Sequence, residues 1–318
     1  MARDLIGRIA GEAIAVGTDV VSLVLGRQSP GVPLDQSLAE PNLLRHGLGM
    51  LESVIVDDRG RLFFTSQTWA LTGERRGLGA VLRLDQPDGE LVVLATGINS
   101  PGGLAFGASG RLIVGYGDGP VSGLIGNFSP RAGIVLVDPD GGGAPEPQSV
   151  RLGMANGIAR APDGTIFASN DLGTHIDRIA PDGRVDNRWA RVPSANGLAI
   201  DAQGSYLYAC QTFGWTQIAR VEIANPTHVE RWARPAVTGM LAMLDGLTID
   251  DRGRLFAAAN GAGQIWRIET DRTITPLARG LRCPSAVALG RGPTGFRTGN
   301  VYAVTFHGDI VELPGAAL

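Results

Sequence analysis

The sequence predicts an all-β fold, a six-bladed β-propeller of four-stranded antiparallel blades, and three observations carry that prediction. The stretch "ANGIARAPDGTIFASN" (155–170) returns forty residues later as "ANGLAIDAQGSYLYAC" (195–210), and related copies begin at Leu51, Pro101, Leu244 and, in degenerate form, Pro284. Self-similarity at a period of about 20 to 50 residues marks a repeat architecture. Second, a glycine follows the second residue of five copies at one fixed distance: Glu52 to Gly60, Gly102 to Gly110, Asn156 to Gly164, Asn196 to Gly204 and Asp245 to Gly253. Third, each copy is an apolar run, a polar turn and a second apolar run, and in most copies another hairpin with an Asp-Gly turn follows. Two hairpins per unit make four strands, and radial repetition of such sheets leaves few exposed edges.

Taken in order, residues 1–50 form an amino-terminal extension, and residues 51–318 form the propeller in a single domain with it. Asp4, Arg8, Glu12 and Asp19 interrupt the apolar opening, so neither a signal peptide nor a membrane span is expected there. Blade one starts at "LESVIVDDRGRLFFTS" and adds "VLRLDQPDGELVVLA"; blade two starts at "PGGLAFGASGRLIVGY" and adds "IVLVDPDGGGAPEPQSVRL". Blade three pairs its first hairpin with "IDRIAPDGRVDNRWA", and blades four and five follow the same plan. The sixth unit carries an insertion, "GRGPTGFRTGN", and ends soon after its third strand, "GDIVEL". Its fourth strand must come from elsewhere, and the segment from "GTDVVSLVLG" to "LLRHG" is the candidate that closes the ring.

A net charge of -3 without a Lys/Arg-rich run lacks the footprint of a nucleic-acid binder. A small neutral or anionic molecule is the expected partner, with no membrane partner; the sequence leaves oligomeric state open. Cys210 and Cys283 are too few for a disulfide framework and lack metal-site spacing, which reads as a reduced, cytoplasmic setting.

In a closed ring the first strands converge on the axis. The second position of the six units reads Glu52, Gly102, Asn156, Asn196, Asp245 and Ser285. Asn-Gly alone is a turn signal, but Glu-Ser and Ser-Ala in the same column are not. Two carboxylates gathered at one point disfavour joint ionisation, and a dication removes that cost. An all-oxygen set without His or Cys suits a hard ion with six to eight ligands. The expected cofactor is therefore Ca²⁺, with another divalent cation as the alternative.

The quartet in "MLES", "MANGIA", "SANGLA" and "LDGLTID" resembles the metal site of the calcium-dependent six-bladed propeller hydrolases, a family that includes regucalcin (senescence marker protein), gluconolactonases, paraoxonases and squid-type phosphotriesterases. The resemblance spans residues 51 to about 313 and implies ligand roles for Glu52, Asn156, Asn196 and Asp245. One departure stands out: Gly102 occupies the blade-two position where relatives often place a polar, acidic or imidazole group, with Asn99 and Ser100 just upstream.

Loops that follow the second strands should ring the pocket. They offer Trp69, Tyr116, Asp171, Phe213, Trp215 and Phe306, with Asn99 and Ser285 nearby, as substrate contacts, and His307 as a proton shuttle. The expected reaction is metal-assisted hydrolysis of an ester, foremost a lactone, with Asp245 as the base and Asp171, His175 and His307 as alternatives. No G-x-S-x-G elbow supports a covalent serine route. A metal-assisted isomerase, cyclase or condensing enzyme is the alternative, and a non-catalytic binding module is a weaker one.

Overall fold

The computed structural model describes residues 40–67, 79–214, 216–235 and 242–318. Its strands form six four-stranded antiparallel sheets. β1 (Asn42–Arg45) stands apart and is placed last in space. Blade one holds β2 (Leu51–Val56), β3 (Leu62–Ser66), β4 (Gly79–Leu84) and β5 (Leu91–Ile98). Blade two holds β6 (Leu104–Phe106), β7 (Leu112–Tyr116), β8 (Gly133–Val137) and β9 (Glu146–Pro147). Blade three holds β10 (Ile158–Arg160), β11 (Ile166–Ala168), β12 (Ile176–Ile179) and β13 (Val185–Ala190). Blade four holds β14 (Ala195–Ile200), β15 (Tyr206–Gln211), β16 (Gln217–Glu222) and β17 (Asn225–Ala233), and blade five β18 (Leu244–Ile249), β19 (Leu255–Ala259), β20 (Gln264–Ile268) and β21 (Ile274–Ala278). Blade six is β22 (Pro284–Leu289), β23 (Val301–Thr305), β24 (Ile310–Leu313) and, outermost, β1, which pairs with β24 through Asn42–Glu312 and Leu43–Val311. The ring is thus closed by the amino-terminal segment, as the truncated sixth repeat required.

The spaced glycines do what the repeat implies. Gly60, Gly110, Gly164, Gly204 and Gly253 all have φ between 69° and 96°, a region that glycine enters without a Cβ penalty. In blades one and five an aspartate at the head of the turn locks it. Asp57 Oδ1 accepts from the Arg59 and Arg61 amides, Asp250 Oδ1 accepts from the Arg252 and Arg254 amides, and each Oδ2 accepts from the Nε of the Arg that follows.

The core lies between blades. Leu51, Phe64 and Leu82 of blade one pack with Val304, Tyr302 and Phe296 of blade six, and Leu198 and Leu207 of blade four pack with Phe167 and Trp189 of blade three. The insertion in blade six contributes to this seam, because the Phe296 amide donates to the Gly60 carbonyl of blade one. A short helix, Pro120–Gly126, follows β7. Among the described residues no helix is long and apolar enough to cross a membrane, and both cysteines are buried.

Candidate functional site

The ring at the axis is built on irregular backbone. β2, β14, β18 and β22 each break register with the next strand near their starts, between Leu51 and Val54, Ala195 and Leu198, Leu244 and Leu247, and Pro284 and Ala286. Glu52, Asn196, Asp245 and Ser285 all fall inside these bulges. A bulge inserts one extra residue and re-aims a side chain, and here it sits at the ring position of four blades.

The Asn-Gly pairs are not turns. Neither Gly157 nor Gly197 has positive φ. The absence of a side chain matters instead, because a Cβ on Gly157 would lie 2.4 Å from the Asn196 carbonyl oxygen, and one on Gly197 would lie 2.4 Å from that of Asp245. Gly246 stands in the same relation to Ser285, at 2.7 Å. In blades three to five, glycine beside the ring residue lets successive first strands approach closely enough to bring their polar side chains to one axis.

Glu52, Asn156, Asn196 and Asp245 are between 4% and 8% exposed and line one end of a cavity of about 860 Å³. The cavity runs down the first strands, past Leu104, Ile158, Leu198 and Leu247, to a far mouth carrying Arg59, Arg160 and Arg291. Ser285 is fully buried, and its hydroxyl donates to the Leu51 carbonyl at 2.7 Å, joining blade six to blade one.

A second layer of polar groups reaches the ring from the ends of the second strands. Asn196 Nδ2 donates to Thr212 Oγ1 (3.1 Å), Asn260 Nδ2 donates to Asp245 Oδ2 (3.2 Å), and Asn156 Nδ2 donates to Asp118 Oδ1 (3.1 Å). Asp118 Oδ2 accepts from Gln67 Nε2 at 2.7 Å. With their amide nitrogens so engaged, Asn156 and Asn196 keep their carbonyl oxygens for another partner. Asp118 and Asn260 stand in the loops that the sequence places around the pocket, whereas Gln67 and Thr212 were not singled out there. The available signal was a second fixed spacing: Gln67, Asp171, Gln211 and Asn260 each stand 15 residues after the ring residue of their blade.

The electrostatics are those of crowded acid. Burial, then repulsion from Asp118, Asp245 and Asp171, holds the Glu52 carboxyl well above its ordinary range. Burial, then Asp171 and Asp118, does the same to Asp245. Burial foremost, with Asp171 adding to it, takes Asp118 to about 7, and burial takes Asp171 to about 6. Two enclosed acceptors, Asp171 Oδ1 and Asn260 Oδ1, have no hydrogen-bond partner, and buried polar atoms are seldom left so. Among the described residues no three His, Cys, Asp or Glu side chains converge by themselves into a metal-sized cluster; the donor set at the ring mixes carboxylates with amides. Buried acids that repel one another, alongside unpartnered oxygens, fit a hard cation better than they fit an empty polar core.

The remaining expected site residues lie off the described cavity, Asn99 directly after β5 and the others at or near the ends of second strands. Asn99 is exposed, and its carbonyl accepts from the Gly117 amide; Tyr116 is half-buried at the end of β7. Phe213 is 47% exposed and Phe306 is half-buried. His307 Nδ1 is hydrogen-bonded with the Arg282 guanidinium. Trp69 and Trp215 lie outside the described residues.

Comparison with known proteins agrees with this architecture. Residues 168–295, which contain Asn196 and Asp245, match the SMP-30/Gluconolactonase/LRE-like region. No curated protein matches the chain. Among solved structures, a gluconolactonase from Xanthomonas campestris is 17% identical, with a TM-score of 0.65 over 86% of this chain and 89% of that one. A calcium-binding protein, regucalcin, from Agrobacterium tumefaciens is 18% identical, with a TM-score of 0.64 over 87% and 93%. Virginiamycin B lyase from Staphylococcus aureus is 17% identical, with a TM-score of 0.54 over 86% and 87%. Identities this low speak to the fold alone, and the likeness to the SMP-30/Gluconolactonase/LRE-like region is confined to residues 168–295.

Proposed function

We propose that the protein is a divalent-cation-dependent hydrolase of a small-molecule ester, a lactonase, with Ca²⁺ as its cation. The observation that carries this reading is the ring: buried Glu52 and Asp245 flank the adjacent Asn156 and Asn196 at the end of a walled cavity, with unpartnered acceptors in the layer behind them. The family segment and the likeness to a gluconolactonase and a calcium-binding regucalcin support it.

Glu52 and Asp245 would hold the ion by charge, and the Asn156 and Asn196 carbonyls would complete the set as neutral donors. Bound there, Ca²⁺ supplies Lewis-acid polarisation of the ester carbonyl and compensation of the charge that develops on its oxygen. The chain supplies the base. Asp245, oriented by Asn260, is the first candidate to take the proton of the attacking water; Asp171, with Oδ1 unpartnered and a carboxyl near 6, is the second. A base works best when its pKa lies near the working pH.

The test is turnover of a panel of lactones, aryl esters and phosphotriesters in ¹⁸O-water, with calcium and with chelator. Calcium-dependent opening of a lactone with one ¹⁸O in the product is the expected result. Rearranged product without ¹⁸O would move the assignment to isomerisation or cyclisation. Inertness of the metal-loaded protein toward the whole panel would count against the hydrolase.

A further inference from the structure

A second, smaller cavity of about 70 Å³ shares no wall residue with the axial one. It sits where the helix Pro120–Gly126 and the turn after it meet blade three, and its walls include Asn127, Gly153, His175, Asp177, Asn187 and Arg188. Asp177, in β12, is 7% exposed. Its Oδ2 accepts from the Gly153 amide at 2.7 Å and from Asn187 Nδ2 at 3.1 Å, which leaves Oδ1 without a partner among the described residues. Asn187 Nδ2 also donates to the Arg151 carbonyl, and Asn127 Nδ2 donates to the Gly123 and Leu172 carbonyls. Both amide nitrogens are engaged in holding the fold, and both amide oxygens remain free among the described residues. Three unused acceptors, one of them on a buried carboxylate, therefore line one small space.

We propose that this cavity binds a small α-amino acid, with its ammonium group on Asp177 Oδ1 and the Asn127 and Asn187 oxygens, and its carboxylate on Arg188. An ammonium carries three donors and no acceptor, which matches the three free oxygens in number and kind. A buried carboxylate without a counter-charge is costly, and the charge acting on Asp177 among the described residues is Asp186, of like sign. Arg188 is exposed at the rim and forms no ion pair among the described residues; a guanidinium presents paired donors that suit a carboxylate. His175 does not oppose the ammonium, because burial, then Arg188 and Arg191, holds its imidazole below the ordinary range and so neutral at pH 7. The space equals about two waters at roughly 30 Å³ each, room for the ammonium and the α-carbon, with the remainder of the ligand at the rim. A divalent ion fits less well, since the set offers one carboxylate beside a guanidinium. This site is independent of whether the axial ring holds a cation.

The test is calorimetric titration of the intact chain with glycine, methylammonium and acetate, using wild type, Asp177→Asn, Arg188→Gln and Gly153→Ala, each checked for folding by its melt. Asp177→Asn keeps an oxygen for the Gly153 amide and removes the charge. A Cβ on Gly153 would meet Asn170 Nδ2, the Gly126 carbonyl oxygen and Asp177 Oδ2 at 3.4, 3.4 and 3.5 Å, ordinary contacts, so Gly153→Ala fills part of the cavity without strain. Wild type should bind glycine saturably and more tightly than either half-ligand. Asp177→Asn should weaken glycine by about tenfold or more, Gly153→Ala should abolish its binding, and Arg188→Gln should weaken it by about twofold to fivefold while leaving methylammonium no weaker. Absence of saturable glycine binding to wild type would overturn the proposal, as would glycine binding that survives both Asp177→Asn and Gly153→Ala unchanged. Acetate bound as tightly as glycine would dismiss the ammonium contact, and methylammonium bound as tightly would dismiss Arg188, either one overturning the amino-acid assignment. If Asp177→Asn does not fold, Gly153→Ala decides alone.

Discussion

At the level of single residues, the glycines beside the ring carry a constraint that no turn explains. A methyl group at Gly197 would meet the Asp245 carbonyl oxygen and the Leu247 amide at 2.4 Å, and backbone atoms cannot yield as a side-chain end can. Gly197→Ala is therefore expected to destabilise by roughly 1–3 kcal/mol or more, the usual cost of overpacking. Gly143→Ala, where a Cβ meets nothing within 4 Å, should leave the melting midpoint nearly unchanged. Equal melts for the two variants would show that blades do not approach each other as described. Asp245→Asn makes the complementary test of chemistry. It keeps size and shape and removes a charge and the proposed base, so turnover should fall by about a hundredfold or more with the melt in chelator preserved. Full turnover of a calcium-dependent substrate would dismiss Asp245.

At the level of the element, β1 is the closure. It covers the free edge of β24, and Leu44 and Leu48 pack against the seam between blades six and one. Deleting residues 1–45 exposes an unpaired edge and opens the ring at one blade; the melting midpoint should drop by roughly 5 °C or more, with a tendency to associate. An unchanged melt would mean that the ring holds without its clasp. This strand was legible in the sequence, because the sixth repeat carries three strands up to "GDIVEL" and the segment ending in "LLRHG" belongs to no other repeat. The turns were legible too, since glycine at a constant offset is a backbone requirement written in residue type. The bulges were not. Each shifts the inward-outward alternation by one residue near the start of β2, β14, β18 and β22, and a one-residue shift in a six-residue strand leaves no trace in a hydrophobic pattern. Asp118 is legible as a residue of a pocket loop, but its contact with the ring was hidden for a related reason. It stands one residue beyond the offset that Gln67, Asp171 and Asn260 obey, and its partner is a missing side chain at Gly102.

At the level of the whole molecule, four buried acids at one axis make stability depend on what neutralises them. In chelator the folded-state values of Glu52, Asp118, Asp171 and Asp245 are all raised, with burial the first cause for each. The folded state then binds more protons than the unfolded chain above the model-compound carboxylate range, and stability falls as pH rises wherever that holds. Their contribution is present in full below about pH 4 and is lost as pH rises through about 6 for Asp171 and about 7 for Asp118. The melt of the chelated protein should therefore drop between about pH 5 and about pH 8. Saturating calcium should flatten this dependence, because the ion takes the place of the protons. A chelated protein that gains stability over the same range would refute the crowding of acids at the axis.

The central claim is that this axis is a divalent-cation centre, and one comparison bears on it most directly: the melting of wild-type protein in chelator and in excess calcium, after elemental analysis has established that the chelated sample is metal-free. At about a hundred times its dissociation constant, calcium bound only to the folded chain should add roughly 2.7 kcal/mol of stability, seen as an upward shift of the midpoint that Glu52→Gln and Asp245→Asn abolish. A metal-free protein whose midpoint does not move with calcium, manganese or magnesium would contradict it.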